Sequence, residues 1–254
     1  MDLKIIDKGE DWIKIKVSGI NYTLANAIRR SSYEIDIPAI DEIEVHKNDS
    51  VLYDEILANR LGLIPLIPSR DLKRKEECSC KGKGCKSCTL KLKLEAKGKG
   101  IVYSDKLVGE AEALFKDIPI VWLEEDQEIK IIANVTLGKA IDHAKYQAGL
   151  VIFNPCYYLS NFDEKFIENN EKIKNIIEKF KIPLKKGVEI DEKQFEILDW
   201  IRENYKESKI KLEISDKDFI FYIETYSYLK PLEIFIKSLE ALEENLNKLN
   251  KILK

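Results

Sequence analysis

Thr23-Leu24-Ala25-Asn26-Ala27-Ile28-Arg29-Arg30 is the stretch from which the rest of the chain is read. Thr23 has the side chain of an N-cap, and Leu24, Ala27, Ile28 and Ser31 then recur on one helical face. Arg29 and Arg30 lie beside that face, and Pro38 closes the unit. Upstream, residues 3–7 and 12–18 read as two short strands. In the second, Ile13, Ile15 and Val17 alternate with Lys14 and Lys16, the period of a half-buried strand. Gly9 and Gly19 punctuate the pair.

Downstream, Ile43 and Val45 alternate with acidic residues in a further strand. Asp54 reads as the cap of a short helix reaching Leu61, with Gly62 as its stop and Pro65 barring continuation. After a cysteine-rich loop, Leu90, Leu92, Leu94 and Ala96 alternate with Lys91, Lys93, Glu95 and Lys97. Stretches 101–103 and 129–135 are also β-like, so the middle of the chain is a β-rich module. From about residue 161 the composition turns charged and helix-favouring. Residues 163–180 and 191–204 are expected as amphipathic helices separated by Pro183 and Gly187, followed by a strand pair at 210–214 and 219–223. The fold class expected is α+β.

The last helix begins at Pro231, where proline costs little. Leu232, Phe235, Leu239, Leu242, Leu246, Leu249 and Leu253 follow at spacings of three and four, the a/d pattern of a packing seam. The seam serves either the chain's own core or a second chain.

The 254 residues are 44% hydrophobic and 34% charged, with 42 Lys+Arg against 45 Asp+Glu and a net charge of −3. Wholesale disorder and a uniformly nucleic-acid-gripping surface are both disfavoured. The longest uncharged run, 146–162, contains Gly149, Asn154, Pro155 and Ser160 and does not read as a membrane span. The first residues lack the apolar core of a signal peptide. A soluble cytoplasmic protein with no membrane partner is expected.

Four of the five cysteines, Cys78, Cys80, Cys85 and Cys88, fall within eleven residues. Reduced thiols so crowded point to metal, and four soft ligands are what a closed tetrahedral zinc site takes. Gly82 and Gly84 let the chain fold back between the two pairs. Zinc is preferred to an iron–sulfur cluster, one per chain and structural, since four protein ligands leave no open coordination position. Residues 70–86 hold seven Lys/Arg and three Asp/Glu. That excess attracts nucleic acid, but compensation of four thiolates explains much of it, and no aromatic interleaves the lysines. Nucleotide-binding, hydrolase and metalloprotease motifs are absent. Glu124, Glu125, Asp126 and Glu128 read as a solvated turn rather than a magnesium site. His143 beside Lys145 has no nucleophile near it in sequence.

The helix 23–30 resembles a signature of the D-type family of archaeal RNA polymerase subunits, which is related to the third-largest subunit of eukaryotic RNA polymerase II and to the bacterial alpha subunit. Pro38-Ala39-Ile40, Asn59-Arg60-Leu61-Gly62-Leu63-Ile64-Pro65-Leu66 and the four-cysteine loop are similar to further motifs of that family, in the same order. Leu137-Gly138 through His143-Ala144-Lys145 resembles a later one, with Ala140 where a glycine is expected.

The resemblance implies a discontinuous architecture. A dimerisation domain of sheet plus helices, 1–38 with 207–254, pairs with a small L-type partner subunit through the terminal helix. An inserted β-rich domain, 39–156, carries the metal loop 78–88. A small helical insert, 157–206, takes the place of a ferredoxin-like domain. It has no cysteine, so no iron–sulfur cluster is expected there, and Cys156 remains as a lone thiol. By the same analogy Asn26, Arg29 and Arg30 dock onto the large catalytic subunits. The function implied is a non-catalytic assembly subunit of a DNA-directed RNA polymerase, a nucleotidyltransferase only as a complex, touching DNA only indirectly. No active site is predicted on this chain. The alternative is a free-standing zinc-loop regulator that binds nucleic acid.

Overall fold

The strands β1 (Asp2–Lys8) and β2 (Trp12–Ser18) pair antiparallel, with Ile5 opposite Ile15 and a register shift before Asp7. The computed structural model describes residues 2–253 and resolves an α+β protein. After β2 come α1 (Tyr22–Ser31), a 3-10 turn (Ser32–Glu34), β3 (Asp36–Asn48), α2 (Asp54–Gly62) and β4 (Leu66–Pro68). Then follow β5 (Leu90–Lys97), β6 (Gly100–Tyr103), β7 (Leu107–Gly109), β8 (Ala111–Ala113), β9 (Pro119–Leu123), β10 (Glu128–Lys139) and β11 (Gly149–Asn161). The remainder is α3 (Glu164–Asn169), α4 (Glu171–Lys179), β12 (Val188–Ile190), α5 (Glu192–Asn204), β13 (Lys211–Thr225) and α6 (Pro231–Ile252).

The described chain divides into two units. One comprises residues 2–9, 13–27 and 152–222 and holds the five-stranded sheet, in the order β1-β2-β13-β11-β12. Ile13, Ile15 and Val17 are buried on one face of β2, as the alternation requires. Phe153 packs between Phe219 and Tyr22, with ring centroids 5.6 and 5.1 Å away. The α3–α5 segment closes over its own apolar core of Leu159, Phe162, Ile173, Ile190, Leu198 and Ile201.

The other unit comprises residues 10–12, 28–151 and 223–253. Its four-stranded sheet runs β3-β10-β5-β7, flanked by the two-stranded pairs β4-β8 and β6-β9. Leu90, Leu92 and Leu94 of β5 are wholly buried against Ile131, Ala133 and Val135 of β10 and against Leu57 and Leu61 of α2. Gly138 of β10 is a packing position. A Cβ there would lie 2.4 Å from the Tyr146 ring, closer than real contacts allow.

Several local readings need correction. Asn21, not Thr23, caps α1, its Oδ1 accepting from the Leu24 N–H at 2.8 Å. The buried face of α1 is therefore Ala25, Ile28 and Ser31, while Leu24 is exposed. Asp54 opens the first turn of α2 rather than capping it; Tyr53 holds the cap position, with no side-chain bond. The helix read over 163–180 is broken at Asn170, which leaves helical geometry and caps α4 by accepting from Ile173. An Asn side chain competes for backbone donors and starts a helix more readily than it continues one. The expected strand pair at 210–223 is the single strand β13, lying between β2 and β11. Strand β11 fills the uncharged run 149–161, which shows no periodicity of its own.

Candidate metal centre and docking surfaces

The cysteine loop leaves the β4 region by way of Arg70 to Lys75 and returns into β5 at Leu90. Two tight turns bring the four cysteines together. The Lys81 N–H donates to Cys78 O, and the N–H groups of Cys88 and Thr89 donate to Cys85 O. Gly82 and Gly84 both sit at φ +80°, a region that side chains rarely adopt, so the fold-back between the cysteine pairs needs glycine there.

All four Sγ atoms lie within 4.8 Å of one another. Cys78 and Cys85 are 3.5 Å apart, Cys80 and Cys88 3.6 Å, Cys85 and Cys88 3.9 Å. Tetrahedral zinc with bonds of about 2.3 Å spaces its sulfurs ~3.8 Å apart, so the donor set and its dimensions fit that ion. The Ser87 backbone N–H and the Cys78 thiol pull Cys85 down to about 6, and Cys80 is also lowered. Cys78 gains from the Cys80 N–H, but the neighbouring sulfurs outweigh it and push its thiol up to about 11. Bound zinc would replace these shared protons with four charge-bearing bonds and hold the loop closed. Cys156 is fully buried, and burial pushes its thiol up to about 12, a value that keeps it protonated.

The stem of the loop is tied to β3. Lys75 Nζ approaches Asp41 at 3.4 Å, and Arg74 Nε lies 3.5 Å from Asp36. Asp41 also takes Lys145 Nζ at 3.0 Å and the Tyr146 hydroxyl at 3.1 Å. Burial works to raise the Asp41 pKa, but Lys145, Tyr146 and Lys75 together outweigh it and hold the carboxyl below its ordinary value. The Lys145 ammonium thus serves the Asp41 carboxylate of β3, while its backbone N–H donates to His143 Nδ1 at 3.0 Å. Of the basic residues in the loop region, Arg70 is spent on Glu110, Arg74 on Glu76 and Asp36, and Lys75 on Asp41. Lys73, Lys81, Lys83 and Lys86 are exposed.

Asn26, Arg29 and Arg30 share one side of α1 by their spacing. Asn26 and Arg29 are half-buried and Arg30 is exposed, with both arginines in the last turn where the helix dipole favours cations. On α6, Ile234, Phe235 and Ser238 are buried. Phe235, a seam residue by its spacing, spends its side chain on its own chain at 2% exposure. Leu239 and Leu242 are half-buried, and Leu232, Leu246, Leu249 and Leu253 are exposed. Ile236 and Ile252, which lie outside the heptad positions, are exposed on the same helix. No described helix is long and apolar enough to cross a membrane.

A family model described as the RNA polymerase Rpb3/RpoA insert domain matches residues 39–152. A Pyrococcus furiosus protein described as DNA-directed RNA polymerase subunit Rpo3 is 34% identical over 257 residues, covering 95% of this chain and 93% of the relative. The protein of that description from Thermococcus kodakarensis is 34% identical over 270 residues, 99% of each chain. Its counterpart in Methanothermobacter thermautotrophicus is 30% identical over 256 residues, 96% of each. With a match this long, and the four-cysteine loop and both motif helices in their expected order, the chain belongs to the archaeal Rpo3 family of DNA-directed RNA polymerase subunits.

Proposed function

We propose that this chain is a non-catalytic assembly subunit of a cytoplasmic archaeal-type RNA polymerase. It pairs with a small partner subunit through α6 and presents the Asn26, Arg29 and Arg30 side of α1 to the large subunits. The observation that carries this reading is the apolar stripe of α6. In a 22-residue helix, Leu246, Leu249 and Ile252 are each at least half exposed, as is Leu253 at its C-cap. Apolar side chains repeating along one helix this way mark a contact surface.

The three-part division into residues 1–38 with 207–254, 39–156 and 157–206 belongs to this proposal. So does zinc, one ion held by Cys78, Cys80, Cys85 and Cys88, whose contribution is to fix the loop. Arginine forks make bidentate bonds to carboxylates, which suits Arg29 and Arg30 to a protein interface. Bond formation in transcription is assigned to other chains of the complex, and contact with DNA comes only through them. Three of the seven basic residues around the loop are already paired within the chain, which disfavours a free-standing DNA-binding regulator.

Purification of the native complex, with mass spectrometry of every accompanying chain, tests the proposal. Large polymerase subunits and a small partner are expected in fixed proportion. Recovery of the chain alone overturns it.

A further inference from the structure

The metal loop and the outer half of α6 are fastened to opposite ends of one short segment, residues 34–41. At its start, Glu34 accepts a hydrogen bond from Asn245 of α6 at 2.8 Å and faces Lys139 at 3.7 Å. Two residues on, Asp36 faces Arg74. At its end, Asp41 receives Lys75 beside Lys145 and Tyr146. Arg74 and Lys75 are themselves bonded into the turn that delivers the first metal ligand. The Glu77 N–H donates to Arg74 O, and the Cys78 N–H donates to Lys75 O.

Arg74 Nε lies 3.5 Å from Asp36 and 3.4 Å from Glu76, so its charge is shared between β3 and its own loop. Arg74 Nε is buried and makes no hydrogen bond among the described residues. Its charge also reaches α6 directly, helping Lys248 and Lys139 hold the Glu244 carboxyl below its ordinary range. The loop has little apolar core of its own, since between Lys73 and Ser87 only Cys78 is buried. Closure of the four cysteines around an ion would therefore fix the Arg74–Lys75 turn from the loop side.

We propose that Arg74 and Lys75 are positioning residues that brace the outer half of α6, through Asp36, Asp41 and Glu34, so that metal in the loop stiffens the surface on which the small partner docks. This rests on the metal and seam readings above and adds a coupling between them. It makes partner affinity a function of metal loading.

Hydrogen exchange on the full-length chain tests the coupling, with metal content measured on the same samples. In the metal-loaded wild type, excess chelator with reductant should speed exchange of amides in 239–252 about fivefold, the size expected for loss of one partly exposed ion-pair brace. Arg74→Gln, which leaves all four thiolates in place, should retain its metal, show that faster exchange already, and bind the small partner about fivefold more weakly. Asp36→Asn is the second variant if Arg74→Gln does not fold, and amides of β10 serve as the folding control. A metal-loaded variant whose 239–252 amides exchange as in the wild type overturns the brace alone. A chain that holds no metal overturns the brace together with the metal reading.

Discussion

Truncating the outer leucines of α6 separates a docking surface from a core. Leu246, Leu249 and Leu253 are 52%, 51% and 75% exposed, so a partner that covers them removes the remaining surface from water. Full burial of a leucine side chain is worth ~2.5 kcal/mol, which scales to about 1.3 kcal/mol for each of the first two and about 1.9 for the third. The triple alanine variant should then bind its partner roughly a thousandfold more weakly, since each 1.4 kcal/mol is about tenfold in Kd. Because these side chains face water in the single chain, its own stability should change by only about 1 kcal/mol. Phe235→Ala should do the reverse, costing the single chain about 3–5 kcal/mol because that ring is buried in its own body. Sedimentation velocity on the co-expressed pair reads the first effect and thermal unfolding of the single chain the second. If the triple variant assembles with the wild-type Kd, α6 is not the seam, whatever its spacing.

Other outcomes follow from the same geometry. Leu239→Asp with Leu246→Asp should abolish pairing, because two carboxylates would be buried in an apolar contact; unchanged co-purification would refute the seam. Elemental analysis should find about one zinc per chain, lost in Cys88→Ser, whose wild-type thiol is fully buried; iron, or no metal, would overturn the assignment. Arg29→Glu with Arg30→Glu should leave the small partner bound and release the large subunits in pull-downs of the native complex; retention of both refutes docking through α1. Asp41 has its pKa lowered in the folded chain, so its contribution to stability is present above the ordinary carboxylate range and is lost as pH falls through the folded value. The gap in urea midpoint between wild type and Asp41→Asn should accordingly be open at pH 7 and narrow as pH falls below the ordinary carboxylate range. A gap that does not depend on pH would show that Lys145, Lys75 and Tyr146 do not hold the carboxylate charged.

Periodicity locates the elements whose partners are local or uniform. Strand β2 and strand β5 alternate cleanly because one face of each is buried and the other wet. Helix α6 is delimited by Pro231 and its leucine spacing. The four cysteines are legible as a cluster because their short spacing confines them to one loop, and the sulfur separations fit the ion their number suggests. Strand β11 is hidden because Pro155, Asn154 and Gly149 interrupt any two-residue pattern. Its pairing is supplied by distant strands, with β12 bringing Ile190 against Tyr157. The Asn170 break is hidden because a capping asparagine within a helix-favouring stretch differs from a tolerated one only through its backbone geometry.

By itself, then, the order of residues determined the family motifs, the four-cysteine cluster and the helix that carries the apolar stripe. Each depends on residue type at short spacing. Which side of that helix faces outward was decided only by tertiary packing. A heptad pattern marks apolar positions but does not say which of them the chain will bury itself, and Phe235 went inward while Ile236 and Ile252 stayed in water. The convergence of Glu34, Asp36 and Asp41 on α6, Arg74 and Lys75 was likewise invisible, because ion pairs between residues tens of positions apart leave no local pattern and exist only once the strands have set their carboxylates in reach.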